Sequence, residues 1–195
     1  MRQNPHSRLV LALKPRRKEG FITRKRQVLG HDLYDRLYRS ETLIRLHKQY
    51  YSMKLKIDLV PSTAWYSNLR TKIPKEEWDK IRKQSYADAN HKCAICGTKA
   101  ELNCHEIWDY DDKKHIQKLK GFIALCDNCH FIKHLGLSGI LNIDRNMLIE
   151  HFMRVNRVNR KTFDKHYEEA FRIHRERSEH EWKTDFGQWS SLIIP

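Results

Sequence analysis

The sequence predicts an α+β fold: a small core of two strands and one helix, pinned by four cysteines, with further helices around it and a basic arm in front. Three observations predict it. Cys93-x-x-Cys96 and Cys126-x-x-Cys129 form two short cysteine pairs. Between them lie two segments of strand character. The second pair leads straight into His130-x-x-x-His134. A cysteine-pinned scaffold that also displays imidazoles points to a second, chemically different site on the same core.

The arm comes first, expected over residues 1–57. Met1 to Lys56 hold fifteen Lys or Arg against four acids, a local net of +11 out of +14 for the 195-residue chain. Residues 1–30 carry Pro5, Pro15, Gly20 and Gly30 among the clusters Lys14-x-Arg16-Arg17-Lys18 and Arg24-Lys25-Arg26. So few apolar residues separate them that a flexible tail is expected, ordering on nucleic acid. Arg16, Arg17, Lys18, Arg24, Lys25 and Arg26 are its expected phosphate contacts. Within residues 31–56, Leu33, Leu37, Ile44 and Leu46 recur at roughly helical spacing, which predicts one or two short amphipathic helices.

The metal-binding domain is expected over residues 58–140. Residues 58–62 read as a linker. Pro74 suits the first turn of a helix, with Glu76 and Glu77 near its positive end and Trp78, Ile81, Tyr86 and Ala89 on its buried side. Trp65 and Trp78 are expected in the core. Leu102 to Ile107 alternates as a strand, Ile123 to Leu125 reads as a second, and a helix after Cys129 brings His130 and His134 onto one face.

A helical extension covers residues 141–195. Arg145 to Asn156 carries an apolar stripe of Met147, Leu148, Phe152 and Val155. Thr162 suits the cap of a last helix with Phe163, Tyr167, Ala170 and Phe171, and later Trp182. His151, His166, His174 and His180 are expected to be solvated or to pack, not to ligate.

Composition narrows the function. A sequence pI of about 9.7 and a mean hydropathy of −0.79 describe a strongly basic, polar chain, for which nucleic acid is the default partner. DNA and RNA both fit that charge. A hydrophobic fraction of 39% gives a modest core that a metal would help to fold. No apolar run reaches membrane-spanning length and no hydrophobic signal region follows Met1, so a soluble, cytoplasmic protein without a membrane partner is expected. The cysteines fit reduced thiols on a metal better than a disulfide framework.

Cys93, Cys96, Cys126 and Cys129 have the spacing of one structural Zn²⁺ site. Twenty-nine residues separate Cys96 from Cys126, enough for a hairpin of two strands. Cys104 is expected to be a small buried residue. His130 and His134, four residues apart on a helix, can grip a second ion, the third ligand coming from the first strand. Lys133, between them, is expected to face a phosphate.

The segment from His91 to Gly136, with CAICG, LNCHEIWDY and GFIALCDNCHFIKHLG, resembles the zinc-stapled form of the ββα-metal, or HNH, nuclease family. From about Leu59 to Trp189, including VPSTAWYSNLRTKIPKEEWDKIRK and RERSEHEWKTDF, the chain also looks like uncharacterised prokaryotic proteins of HNH type, a prokaryotic or phage-infected cell being the implied setting. The resemblance implies a metal-dependent endonuclease acting on DNA, phage- or mobile-element-borne. His105 falls where the family has its strand metal ligand, Glu106 where it has the general-base histidine, and His130 and His134 where two helix residues complete the metal site. Gly121 takes roughly the place of the family's middle Asn.

Two departures from the family pattern matter. A carboxylate of ordinary pKa near 4.3 is a weaker base than imidazole, although burial can raise it. In a second register His105 is the base, and Glu106, Asp109 or Asp111 supply oxygen ligands. The missing Asn is the other departure, for which Asn103 or Asn128 can substitute. The resemblance thus implies His105, Glu106 and His130 as catalytic residues and His105, His130 and His134 as ligands of a catalytic divalent ion (Mg²⁺, Mn²⁺, Ni²⁺ or Zn²⁺). Imidazoles favour the transition metals. Such an ion would stabilise phosphate oxygens during hydrolysis. The alternatives are a catalytically inactive zinc-stabilised nucleic-acid-binding module and a basic structural component of a larger nucleoprotein assembly. The sequence leaves oligomeric state open.

Overall fold

The computed structural model describes residues 53–194. The expected arm contacts Arg16, Arg17, Lys18, Arg24, Lys25 and Arg26, and residues 31–52 of the 31–56 segment expected to form short helices, lie outside the described residues. Five helices and three strands follow: α1 (Lys75–Asp88), β1 (Asn103–Asp111), β2 (Ile116–Leu125), α2 (Asp127–Lys133), α3 (Leu135–Ile140), α4 (Arg145–Asn156), α5 (Arg160–Arg177) and β3 (Lys183–Asp185), with 3₁₀ turns at Ser62–Ala64, Leu69–Thr71 and Gly187–Leu192. The fold is mixed α+β around a three-stranded sheet of order β1-β2-β3.

β1 and β2 form an antiparallel hairpin in which His105 faces Ile123 and Glu106 faces Phe122. Both strands run further toward the turn than the short alternating stretches indicate. The turn closes on Asp111, whose Oδ1 accepts the amides of Lys113 (3.1 Å) and Lys114 (3.0 Å), and on His115 at φ 50°. Between Ile107 and Trp108 the register shifts, leaving Lys120 as an extra residue on β2. That bulge explains how Leu119 and Phe122, three residues apart, both join the core. Gly121 follows it at φ +155°, a backbone conformation L side chains rarely adopt.

β3 pairs with β2 in parallel, Gln117 opposite Thr184, and the Gln117 Nε2 donates to Thr184 Oγ1 at 2.8 Å. One face of the sheet meets α1 and the 3₁₀ turns. There Leu69, Ile73, Trp78, Leu119 and Phe186 form a buried cluster joined by Trp108, Phe122 and Trp189. Trp78 and Phe122 meet edge to face at 5.8 Å. The expected buried side of α1 holds for Trp78, but Ser85 is its other buried residue, and Ile81, Tyr86 and Ala89 are half-buried. Trp65, expected in the core, is exposed, because it follows a short 3₁₀ turn that turns Ala64 inward instead.

The other helices form a second layer. α2 packs on α4, and α4 on α5 through an edge-to-face contact of Phe152 and Phe163 at 5.1 Å. The inward stripe of α4 is Leu148, Ile149, His151 and Phe152, so Ile149 replaces the expected Met147, which is exposed. α5 is capped by Asn159, whose Oδ1 accepts the Thr162 amide at 3.0 Å, so Thr162 receives the cap it was expected to provide. Leu55 and Ile57, placed in the basic arm from composition, are fully buried. Asn156 pairs with both backbone groups of Leu55 (3.0 and 2.8 Å), and the Ile57 amide donates to His166 Nε2 at 3.0 Å.

His166 thus packs in the interior, as expected, and burial holds its pKa down to about 4. His180 lies beyond α5 and stacks on His115 at 4.1 Å. Among the described residues no helix is long and apolar enough to cross a membrane.

Candidate metal centres

Among the described residues, two groups of side chains can hold an ion: Cys93, Cys96, Cys126 and Cys129, and His105, His130 and His134, with the ligand atoms of each group within 4.8 Å of one another. Both depend on α2, which carries Cys129 and His130 and has Cys126 and His134 as its caps. The helix starts before the second knuckle closes, not after it, so two sulfur ligands and then two imidazoles follow one another along one short helix and its caps.

The first knuckle is a tight turn in which the Gly97 amide donates to the Cys93 carbonyl at 2.8 Å, with Gly97 at φ +77°. The Ala94 amide donates to the Ala124 carbonyl at 2.9 Å, which ties this knuckle to the end of β2 beside Cys126. The Cys96 and Cys126 sulfurs are 3.6 Å apart. Tetrahedral Zn–S bonds of about 2.3 Å require sulfur separations of about 3.8 Å, so the cage fits that ion. Without a cation the thiolates oppose one another. Hydrogen bonding from Cys129, then from backbone amides, brings Cys93 down to about 4, while burial and its thiolate neighbours push Cys126 up to about 11. Cys129 is raised further, first by its bond to Cys93. A divalent cation resolves that conflict, and the four cysteines can hold a structural metal such as zinc. Cys104 stays out of the cage, half-buried on the core face of β1, and burial raises its thiol pKa.

His105 is buried on β1 and meets His130 and His134 with ring centroids 5.6 and 4.8 Å away; His130 and His134 are 4.8 Å apart. The His134 amide donates to the His130 carbonyl at 3.1 Å, which keeps both rings on the side of α2 that faces the sheet. Metal–nitrogen bonds near 2.1 Å put ligand nitrogens about 3.4 Å apart, within reach of side-chain rotation from the spacing here. Burial lowers the pKa of His105 well below its usual value, helped by His134, Lys133 and His130. His134 is lowered to about 4 by burial, then by His130 and Lys133, with Asp58 opposing. Burial also lowers His130, against Asp127. Three neutral rings near pH 7 offer lone pairs, which is the form that binds metal.

Glu106 lies elsewhere, a correction to the expectation that placed it beside His105 at the centre. Neighbouring residues of a strand point to opposite faces, and Glu106 points to the core face. Its Oε1 accepts the amides of Leu69 (2.8 Å) and Arg70 (3.3 Å), closing the start of the Leu69–Thr71 turn. Burial raises its pKa, opposed by those two amides. Neither group of ligands includes Asp109 or Asp111. Lys133 is also corrected: its side chain is largely buried and pairs with Asp58, so it does not face solvent as a free phosphate contact. Asn103, proposed as a substitute for the missing Asn, donates from Nδ2 to Asp127 Oδ1 at 2.7 Å and ties β1 to the first turn of α2.

Sequence reasoning missed His151. It lies on α4, 22 residues from Cys129, yet its Nε2 is 3.2 Å from the Cys129 sulfur. No local pattern signals a contact between two helices at that separation. Compared with family models, with curated proteins and with solved structures, the chain gives no match.

Proposed function

We propose that this protein is a metal-dependent endonuclease of HNH type that hydrolyses DNA phosphodiester bonds. The observation that carries the reading is the convergence of His105 from a strand with His130 and His134 from the following helix. The hairpin-then-helix order, with the imidazoles at the seam, supports a ββα-metal core. A divalent ion held by these rings would stabilise charge on phosphate oxygens and lower the pKa of the attacking water.

The chain's own residues prepare that chemistry. Burial keeps the three rings unprotonated near neutrality, so each can ligate or accept a proton without first losing one. The Asn103–Asp127 bond fixes the helix against the strand and with it the angle between the rings. Glu106 supports the neighbouring turn and takes no part in this centre.

Nicking of supercoiled plasmid in Mn²⁺ tests the proposal. Wild type should nick, and His130→Ala and His134→Ala should lose at least a hundredfold in rate while keeping a wild-type melting curve. Equal rates in all three proteins would overturn it. The second reading, a zinc-stabilised nucleic-acid-binding module, is favoured by the engagement of Glu106 with two amides, which removes the carboxylate from the base position. It would show as salt-sensitive DNA binding with no nicking in Mn²⁺, Ni²⁺, Zn²⁺ or Mg²⁺.

A further inference from the structure

The sulfur cage draws hydrogen bonds from several places. Cys93 accepts from the amides of Cys96, Cys126 and Ile95, and Cys126 from the amide of Cys129. Cys96 is 3.3 Å from the hydroxyl of Thr98. All these partners belong to the knuckles. Cys129, whose residue is fully buried, differs in having a partner on a separate helix, the His151 ring on α4.

His151 Nδ1 lies 2.9 Å from Arg154 Nη2, one helical turn further along α4. A guanidinium has only donors, so Nδ1 must present its lone pair. The proton of the neutral ring is then on Nε2, which faces sulfur at 3.2 Å. A doubly protonated ring would set an N–H against a guanidinium N–H. Arg154 therefore selects the tautomer, and the Cys129 contact is N–H···S with sulfur accepting.

We propose that Arg154 and His151 are positioning residues of the sulfur cage: Arg154 locks the imidazole tautomer, and His151 donates to Cys129, drawing negative charge off the tetrathiolate and slowing metal loss. α4 thereby becomes part of a centre whose ligands all lie elsewhere. Four thiolates on Zn²⁺ carry a net charge of −2, and a buried donor to one of them lowers the cost of keeping that charge out of water.

The test uses the full chain loaded with Zn²⁺, and separately with Co²⁺. Arg154→Met and His151→Leu should release zinc to a chromogenic chelator about tenfold faster than wild type. Their sulfur-to-cobalt charge-transfer band should move to lower energy, because a sulfur without its donor holds electrons less tightly. Arg154→Lys, which keeps a donor to Nδ1, and His151→Gln, which keeps an N–H for sulfur, should stay near wild type in both readouts. Arg154 is exposed, so its two variants report even if His151→Leu fails to fold. Nitrogen-15 resonances of the wild-type His151 ring should show the proton on Nε2. A proton on Nδ1, or equal release rates and spectra for Arg154→Met and Arg154→Lys, would overturn the proposal.

Discussion

His105 and Glu106 are adjacent on β1, and their side chains leave the sheet on opposite faces: the His105 ring meets His134 at 4.8 Å, while the Glu106 carboxylate takes the Leu69 amide at 2.8 Å. One residue therefore joins a group of imidazoles that could hold an ion, and its neighbour serves the scaffold. The division follows from the two-residue period of a strand.

Replacing Glu106 separates those roles. Glu106→Ala leaves two amides without their acceptor and should cost about 1–3 kcal/mol in a urea melt. Glu106→Gln, which keeps one acceptor oxygen, should cost less. Both should retain the second ion and, in the nuclease reading, the nicking rate of the folded fraction. A Glu106→Gln protein with wild-type stability and no nicking would return the carboxylate to the reaction.

Ion stoichiometry distinguishes the two centres. Wild type should bind two divalent ions per chain by plasma emission analysis. His134→Ala should bind one and keep its fold. Cys129→Ser should lose the fold as well, since sulfur-held zinc contributes on the order of 10 kcal/mol to domains of this kind. A folded Cys129→Ser protein that still binds two ions would contradict the assignment.

Acid should weaken the protein through His166. The ring titrates near its usual 6.5 in the unfolded chain and, because burial disfavours its charged form, only at about 4 in the folded one. Between those values the unfolded chain holds more protons. Stability owed to the neutral ring is therefore complete above pH 6.5 and lost as pH falls toward 4, on the order of 3 kcal/mol in total. His166→Gln keeps an acceptor for the Ile57 amide, and it should flatten the dependence of stability on pH in this window by about one proton. An unchanged slope, with zinc content verified at each pH, would show that the ring is not held neutral.

The arm should govern salt dependence. Met1 to Lys56 carry a net +11, leaving +3 for the rest of the chain. If about six cations contact phosphates, DNA affinity should fall roughly a thousandfold between 50 and 200 mM salt. Changing Arg16, Arg17, Lys18, Arg24, Lys25 and Arg26 to Ala should remove most of that slope in a fluorescence-anisotropy titration while leaving the melting curve unchanged. An unaltered slope would move the contacts to the rest of the chain.

Much of the cysteine and histidine core was legible because its signals are local. The x₂ spacing of each cysteine pair and the four-residue spacing of His130 and His134 fix ligand geometry without reference to distant residues. Helix α4 matched its expected bounds for the same reason, since its caps and apolar period lie in one stretch. Other features depended on contacts far apart in the chain. Leu55 and Ile57 look like part of a charged arm until Asn156 and His166 meet them. The face on which Glu106 lies was readable from strand alternation, but its amide partners on the Leu69–Thr71 turn were not. His151, expected either to be solvated or to pack, packs inside, and the sulfur beside it could not be anticipated.

The parallel pairing of β3 with β2 also favours one order of assembly. The hairpin and the knuckles rest largely on contacts between near neighbours in sequence, which form without the later helices. Lys183 to Asp185 can dock only after the whole run of helices has emerged and wrapped back, a closure across a long span of sequence. Until then one edge of β2 has open backbone groups.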